Sequence, residues 1–223
     1  MSILHDSDID ALLTATSVFH DQTLEQMETR ASQEGFPTVG REVGSFLQWL
    51  VITADLTRIY ECGSGFGYSA YWMATALPDD GEIVLTEVDE DELEDARSFL
   101  GAGAIKATVR YHHGDALEAL ADANGKFDLV LLDHENERYR EGFEVAETRL
   151  TPGGVIVADN VMHSFEFGPA DLAAVLEDED AEIHESSLAG IVEYVRFVRS
   201  RPDFSSVLLP IGEGLVLSTH DER

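Results

Sequence analysis

Apolar positions follow two different periods along this chain. Before residue 55 they recur every three or four residues, as at Leu24 and Met27, which predicts helices. Beyond it, short apolar runs alternate with helical patterns, and the unbroken run Leu129–Leu132 is typical of a strand buried on both faces. This alternation favours right-handed crossovers and a parallel sheet. With 223 residues, we predict a single domain over 1–223, with N-terminal helices at 1–54 and an α/β core at 55–223.

The element boundaries follow from these patterns. Five parallel strands are predicted at Arg58–Glu61, Glu82–Glu87, Ala107–Tyr111, Phe127–Leu132 and Val155–Asp159. The helices between them are predicted near Tyr68–Leu77, Asp91–Leu100, Ala116–Ala123 and Tyr139–Leu150. Further helices are predicted at Ile9–Thr16, Leu24–Ala31, Phe46–Val51 and Leu188–Arg199. Two last strands, Ser206–Pro210 and Gly214–Ser218, flank a short loop and predict an antiparallel hairpin.

A glycine-rich turn follows the first strand. The segment Glu61–Ser69 reads Glu-Cys-Gly-Ser-Gly-Phe-Gly-Tyr-Ser, and its glycines would let a ligand approach the backbone closely. A nucleotide-like cofactor is the usual occupant of such a turn, although a purely structural corner is the alternative. Tyr68 stands where a dinucleotide site needs its last glycine, and the Glu61 carboxylate would repel a pyrophosphate. An ammonium or sulfonium group suits Glu61, so we favour S-adenosylmethionine over NAD.

The other predicted strands also end in polar residues, at the sheet edge where ligands bind. Glu87 lies about twenty residues beyond the glycine turn, as expected for a residue that accepts hydrogen bonds from ribose. Gly114-Asp115-Ala116 is suitably placed against an adenine. Strands four and five end in Asp133-His134 and Asp159-Asn160. An isolated aspartate of this kind is usually a solvated turn residue, but five such ends together indicate a site.

Three of these residues predict a metal site. Asp133, Asp159 and Asn160 offer oxygen ligands from neighbouring strand ends, which suits Mg²⁺, or alternatively Ca²⁺ or Mn²⁺. Zinc is disfavoured because the set lacks paired histidines or cysteines. We expect His134 to pack or hydrogen-bond near the cofactor rather than to bind metal.

The composition is strongly acidic. Asp and Glu number 44 against 14 Lys and Arg, giving a net charge of −30, and Lys106 and Lys126 are the only lysines. This pattern predicts a halophilic protein, in which salt screens self-repulsion; a basic partner or cationic substrate is the alternative. The scarcity of cations argues against nucleic acid as a partner.

We expect neither a signal peptide nor a membrane span. The start of the chain lacks the basic and apolar regions of a signal peptide, and no apolar run approaches the length of a membrane span. Cys62, the lone cysteine, can form no intramolecular disulfide. We therefore expect a cytoplasmic protein without a membrane partner.

These motifs together resemble the cation-dependent O-methyltransferases, the family of the catechol and caffeoyl-CoA O-methyltransferases. The resemblance is carried by Val39-Gly40, Glu61–Ser69, Thr86–Asp89, Gly114–Ala116, Leu132–His134, Arg138-Tyr139, Ala158–Val161, Glu193-Tyr194 and Leu209–Gly214. It implies a Rossmann-like class I methyltransferase fold of the α/β class, with a mostly parallel seven-stranded sheet and a C-terminal antiparallel hairpin. The family is commonly dimeric, which leaves a homodimer open.

The resemblance also implies roles for individual residues. Contacts to the methyl donor are implied for Val39, Glu61, Ser69, Glu87, Ala116 and Asp133. With the glycine turn and the adjoining strand ends, the predicted donor set also includes Gly63, Gly65, Gly67, Val88, Gly114, Asp115 and His134. The metal is assigned to Asp133, Asp159 and Asn160.

One departure from the family concerns proton transfer. Asn136 occupies the position of the family's lysine, the proposed general base, and Glu135 replaces an aromatic residue. Besides Asp133 and Asn136, the catalytic candidates are Glu137 and His163 as proton acceptors and Glu193 on the substrate side. A water on the metal is a further acceptor, and a catalytically weakened relative is the alternative.

The predicted function is transfer of a methyl group from S-adenosylmethionine to a hydroxyl of a small molecule with two adjacent oxygens, assisted by a divalent metal. Methylation of a hydroxylated uridine in tRNA is an alternative, which the sparse basic residues disfavour. A non-catalytic S-adenosylmethionine-binding relative is another, which the oxygen-rich metal set disfavours.

Overall fold

The computed structural model describes residues 12, 21–164, 167–178 and 181–220, so most of the predicted helix at Ile9–Thr16 lies outside the described residues. The helices are α1 (Gln22–Glu34), α2 (Gly40–Thr53), α3 (Tyr68–Ala76), α4 (Glu90–Ala102), α5 (Ala116–Asp122), α6 (Tyr139–Glu147), α7 (Pro169–Glu177) and α8 (Ser186–Arg199). The strands are β1 (Arg58–Cys62), β2 (Glu82–Glu87), β3 (Thr108–His113), β4 (Phe127–Leu132), β5 (Leu150–Ala158), β6 (Phe204–Leu209) and β7 (Leu215–His220). A 3₁₀ turn at Asn136–Arg138 precedes α6.

The seven strands form one sheet in the order β3-β2-β1-β4-β5-β7-β6. The first five are parallel, whereas β7 runs antiparallel to both β5 and β6. This confirms the predicted mostly parallel sheet with its C-terminal hairpin. The strand order reverses between β1 and β4, and a crevice opens at such a point beyond the carboxyl ends of the strands. Leu132 pairs with Ala158, so the next residues, Asp133 and Asp159, leave adjacent strands side by side.

Two elements differ from the sequence-based expectation. The strand expected at Val155 begins at Leu150, because the pairing with β4 shifts between Phe127 and Leu129 and takes up the Pro-Gly-Gly segment. Helix α7 was not predicted: its buried residues are Leu172 and Val175, so its sequence carries little periodic apolar pattern. Pro169 in its first turn and a bond from the Gly168 N–H to the Asp171 carboxylate mark its start.

Hydrophobic cores lie on both faces of the sheet. Helices α1 to α4 cover one face, where Leu47 and Trp72 are fully buried. Helices α5 to α8 cover the other, where Phe143 and Tyr194 are fully buried. Because both faces are covered, polar groups of the parallel strands can emerge only at the strand ends. None of the described helices is long and apolar enough to cross a bilayer.

Candidate active site

A cavity of about 350 Å³ opens at the carboxyl ends of the parallel strands. Its walls come from the glycine turn, the ends of β2 to β5, the α1–α2 connection and the loop between β6 and β7. The predicted site residues that line it are Val39, Gly63, Gly65, Ser69, Glu87, Val88, Gly114, Asp115, Ala116, Asp133, His134, Asn136, Asp159 and Asn160. The topology thus gathers predicted donor and metal residues into one space.

The glycine turn is fixed by contacts with both neighbouring strands. Gly63 has φ 80°, and a Cβ there would overlap the carbonyl oxygen of Asp133, so only glycine fits. The Gly65 N–H donates to Glu87 Oε2 at 2.8 Å. The other Glu87 oxygen accepts the N–H groups of Val88 and Asp89 at 2.7 and 3.0 Å. The carboxylate of Glu87 is therefore held in place at the cavity wall.

Glu61 lies beneath the cavity wall. Its side chain is fully buried, and its Oε1 accepts the hydroxyl of Ser69, which does line the cavity. Within the described part of the chain, Oε2 is buried without a hydrogen-bond partner. Burial, reinforced by the charges of Asp133 and Glu87, raises the pKa of Glu61 to about 8. A cationic ligand group would supply the missing partner and favour the carboxylate.

Asp133, Asp159 and Asn160 meet at the ends of β4 and β5. Asn160 Nδ2 donates to Asp133 Oδ1 at 2.9 Å, and the Asn160 N–H donates to Asp159 Oδ1 at 2.8 Å. Burial raises the pKa of Asp133, and burial together with the charge of Asp133 raises that of Asp159 well above its ordinary value. Glu213 adds to both shifts. Two carboxyl groups thus share a site rich in negative charge.

These three residues are the ones that could hold a metal. Among the residues that the structure describes, no group of three or more His, Cys, Asp and Glu side chains is arranged to hold a metal ion. The predicted set differs from such a group because its third member is an amide. Two desolvated carboxylates and an amide oxygen nevertheless match the chemistry of a hard divalent cation.

His134 is held as a neutral ring. Burial lowers its pKa to about 4, and its ring stacks on Tyr139 with centroids 5.3 Å apart. Gly142 leaves the ring no spare room, since a Cβ there would lie 3.1 Å from the histidine Cε1. His134 therefore packs at the cavity wall, beside the predicted donor residues.

Asn136 is bound to α8. Its side chain is 9% exposed, and Nδ2 donates to the Ser187 hydroxyl at 2.7 Å. Gly190 packs so closely that a Cβ would meet the Asn136 carbonyl oxygen. The neighbouring Glu137 carboxylate accepts the Ser186 hydroxyl at 2.6 Å. The 3₁₀ turn is thereby fastened to the start of α8.

Four other predicted residues are not among those that line the cavity. Gly67 begins α3 in a left-handed conformation and packs against α4. Glu137 faces Ser186, and Glu193 pairs with Arg140 at 2.8 Å beside a separate surface recess. His163 lies 3.4 Å from Glu213, which does line the cavity. Of the three catalytic candidates in this group, His163 is the one whose described side-chain partner, Glu213, lines the cavity.

Sequence reasoning missed several residues of the wall. They are Phe36, Pro37, Thr38, Ser64, Phe66, Tyr68, Thr86, Glu135, Arg138, Ser164 and Glu213. Gly35 and Pro37, residue types that end helices, lie in the α1–α2 connection, but residue type does not show that this connection covers the glycine turn. Phe36 packs edge-on against Phe66 at 5.0 Å, a contact that no local pattern predicts. Arg138 and Glu213 lie in segments that carry the family resemblance. That resemblance was the signal from which their place in the site could have been predicted.

Comparison with known proteins identifies the family. A family model described as O-methyltransferase matches residues 14–220. The chain belongs to the O-methyltransferase family. This membership confirms the resemblance and the predicted enzyme class, S-adenosylmethionine-dependent O-methyltransferase.

Individual relatives agree with this assignment. A catechol O-methyltransferase of Niastella koreensis is 29% identical over 160 residues, which cover 69% of this chain and 72% of that protein. A putative caffeoyl-CoA O-methyltransferase of Arabidopsis thaliana is 29% identical over 179 residues, covering 78% and 74%. The crystal structure of the O-methyltransferase TomG of Streptomyces achromogenes, in complex with S-adenosylmethionine, has a TM-score of 0.79 at 26% identity and covers 95% of each chain. The fold prediction is therefore confirmed.

Proposed function

We propose that this O-methyltransferase transfers a methyl group from S-adenosylmethionine to one of two adjacent hydroxyl groups on a small molecule, with a divalent cation held by Asp133, Asp159 and Asn160. The observation that carries the proposal is the pairing of two desolvated carboxyl groups with an amide at the wall of the cavity. Carboxylates buried together are unfavourable unless a cation or protons neutralise them.

The donor end of the cavity has the chemistry that S-adenosylmethionine requires. Glu87 is a fixed acceptor for ribose hydroxyls, and Gly114 to Ala116 form the wall for the adenine. Glu61 has a buried carboxyl oxygen without a partner, beside which the cationic end of the donor can bind. The carboxylate at this place disfavours a pyrophosphate, and hence NAD.

The acceptor end lies beside the metal set. Asp133, Asp159 and Asn160 would hold a divalent cation, whose Lewis-acid chemistry would lower the pKa of an acceptor hydroxyl beside it. The chain itself orients the ligands: Asn160 is held by Asp133, and Asp159 by the Asn160 backbone. Transfer then depends chiefly on alignment and on exclusion of water. Asn136 cannot accept a proton, and we assign that role to the His163–Glu213 pair at the cavity edge.

The test combines metal binding with turnover. Titration with Mn²⁺, followed by electron paramagnetic resonance, should show one tight site in the parent and none in Asp159→Asn. Turnover of 4-ethylcatechol should stop in excess EDTA and return with Mg²⁺. Asp159→Asn should retain binding of S-adenosylhomocysteine, whereas Asp133→Asn should weaken the binding of both S-adenosylhomocysteine and Mn²⁺. Undiminished turnover in EDTA, or an Asp159→Asn variant as fast as the parent, would contradict the proposal.

A matched control is Asp122→Asn. Asp122 is an exposed aspartate at the far end of α5, near the opposite edge of the sheet. The variant removes the same charge as Asp159→Asn without touching the cavity. We expect unchanged Mn²⁺ binding and turnover in Asp122→Asn, which separates the effect of the site from that of net charge.

A further inference from the structure

We propose that the acceptor is a neutral or cationic vicinal diol and that Glu135 and Glu213 select against anionic acceptors. This inference rests on the proposed function and narrows its substrate class. It sets the chain apart from relatives whose names specify a coenzyme A thioester, a strongly anionic acceptor.

Glu213 is fixed next to the proposed metal residues. Its carbonyl oxygen accepts hydrogen bonds from the N–H groups of Met162 and His163 at 2.8 and 3.1 Å. The Val161 N–H donates to the carbonyl oxygen of Gly214 at 3.0 Å. These bonds tie the β6–β7 loop to the segment that follows Asn160. The Glu213 carboxylate lines the cavity and is about half exposed, so an acceptor meets it in a solvated setting.

Glu135 carries a second charge to the cavity wall. It lies two residues beyond Asp133, is exposed, and lines the wall at the start of the 3₁₀ turn. The Arg138 N–H donates to the Glu135 carbonyl oxygen at 2.9 Å, which fixes its backbone. Glu135 on one loop and Glu213 on another therefore line the same cavity as the proposed metal residues.

No free cation balances these acids within the described lining. Arg138 is the only lysine or arginine among the lining residues that the structure describes. Its guanidinium pairs with Asp115 at 2.6 Å and with Glu141 at 3.0 Å. Asp115 in turn accepts the N–H groups of Leu117 and Glu118, which begin α5. Arg138 is thus committed to the adenine side of the cavity.

An anionic acceptor would meet two carboxylates and, among the described lining residues, no lysine or arginine that is free to pair with it. Like charges within a few ångströms repel, and each such contact lowers affinity. An ammonium group on the acceptor would reverse the sign of both contacts. The His163–Glu213 contact does not change this conclusion, because a histidine that accepts the proton of the acceptor must itself be neutral and so does not offset the charge of Glu213.

The test uses three catechols of similar shape: dopamine as the cation, 4-ethylcatechol as the neutral compound and 3,4-dihydroxyphenylacetate as the anion. Binding to the protein loaded with S-adenosylhomocysteine and Mg²⁺ is measured by calorimetry, at the lowest KCl concentration that preserves the fold. We expect dopamine to bind about tenfold more tightly than the anion, with the neutral compound between them. The difference should shrink as KCl is added.

Two variants and one control locate the effect. Glu213→Gln and Glu135→Gln should each reduce the preference for dopamine over the anion by about threefold. Asp122→Asn, which removes one charge far from the cavity, should leave it unchanged. Tighter binding of the anion in the parent would overturn the inference. So would an equal loss of preference in Asp122→Asn, because the selectivity would then belong to the whole surface.

Turnover separates this inference from the proposed function. If the three compounds bind in the expected order but none is methylated, the reaction is wrong and the charge selectivity stands. If they are methylated in the order anion, neutral, cation, the reaction stands and the selectivity is wrong. If none binds the loaded protein, the vicinal-diol class is wrong, and the inference fails with it.

Discussion

Asn160 donates its side-chain amide to Asp133 across 2.9 Å while its own backbone adopts a left-handed conformation with φ 57°. Asparagine tolerates this region better than most residues, whereas a residue with an ordinary Cβ is strained there. The conformation brings the Asn160 N–H onto the Asp159 carboxylate at 2.8 Å. One strained residue therefore connects both acidic side chains.

Two substitutions separate the amide from the backbone. Asn160→Gly keeps the conformation and removes the amide, so we expect Mn²⁺ affinity to fall at least about tenfold with little change in melting temperature. Asn160→Ala should lose the same affinity and, in addition, about 1 kcal/mol of stability from the left-handed backbone. Calorimetric melts and Mn²⁺ titration measure the two effects. An Asn160→Gly variant that binds Mn²⁺ like the parent would remove Asn160 from the metal set.

The buried Glu61 should make stability depend on pH. Its pKa is raised from 4.5 to about 8 on folding, so between these values the folded chain binds more protons than the unfolded chain. The free energy of unfolding should therefore fall as pH rises through this window, by up to about 1.4 kcal/mol per pH unit for one group. In Glu61→Gln this contribution disappears.

Denaturant melts of parent and Glu61→Gln between pH 5 and 8 check the prediction. The two proteins must be compared because Asp133 and Asp159, whose pKa values are also raised, contribute a slope of the same sign to both. Glu90→Gln, an exposed change at the start of α4, is the control. If parent and Glu61→Gln lose stability equally with pH, folding does not raise the pKa of Glu61. Binding of S-adenosylhomocysteine below pH 8 should release a proton from the parent only.

Much of the sheet could be predicted because its signals are local. The run Leu129–Leu132 and the turn after Glu61 each determine their own conformation. Once the strands are parallel neighbours, Asp133 and Asp159 lie side by side because each follows the end of its strand. The bulge that starts β5 at Leu150 could not be predicted, because it depends on pairing with β4. The position of Glu213 also depends on tertiary contacts, since the hairpin loop reaches the site only through bonds to Met162 and His163.

The candidate catalytic residues show the same limit. Sequence placed Glu137 and Glu193 near the chemistry from spacing and resemblance, but their carboxylates bind Ser186 and Arg140. Which way a side chain points within a 3₁₀ turn depends on the helix packed against it, here α8 with its closely approaching Gly190. Spacing along the chain carries no information about that partner.

Salt should stabilise the protein. With a net charge of −30 the folded chain repels itself, and added ions shorten the range of that repulsion to about 3 Å at 1 M ionic strength. The melting temperature should therefore rise steadily from low to molar KCl. Matched melts in sucrose control for general solute effects. A melting temperature that stays flat or falls with KCl would contradict the prediction of a halophilic protein.

Glu87 should govern donor affinity. Its carboxylate accepts from Gly65 and lines the cavity, so Glu87→Ala removes a ribose acceptor and also releases the glycine turn. We expect binding of S-adenosylhomocysteine to weaken by roughly 1–3 kcal/mol, measured by calorimetry. Glu90→Gln should bind like the parent. NAD should bind more weakly than S-adenosylhomocysteine to the parent, and the reverse order would contradict the donor assignment.

The amide of Asn136 is bound to Ser187, and its backbone is packed against Gly190. Asn136→Lys breaks the bond to Ser187, so stability should fall by about 1 kcal/mol. Because Asn136 also lines the cavity, the longer lysine stem can carry its amine toward the acceptor and provide a base. Turnover of 4-ethylcatechol should then rise by about tenfold or more. Asn136→Ala is the matched control, with the same loss of stability and no gain in rate. Equal rates in the two variants would mean that a base at this position does not limit the reaction in this chain.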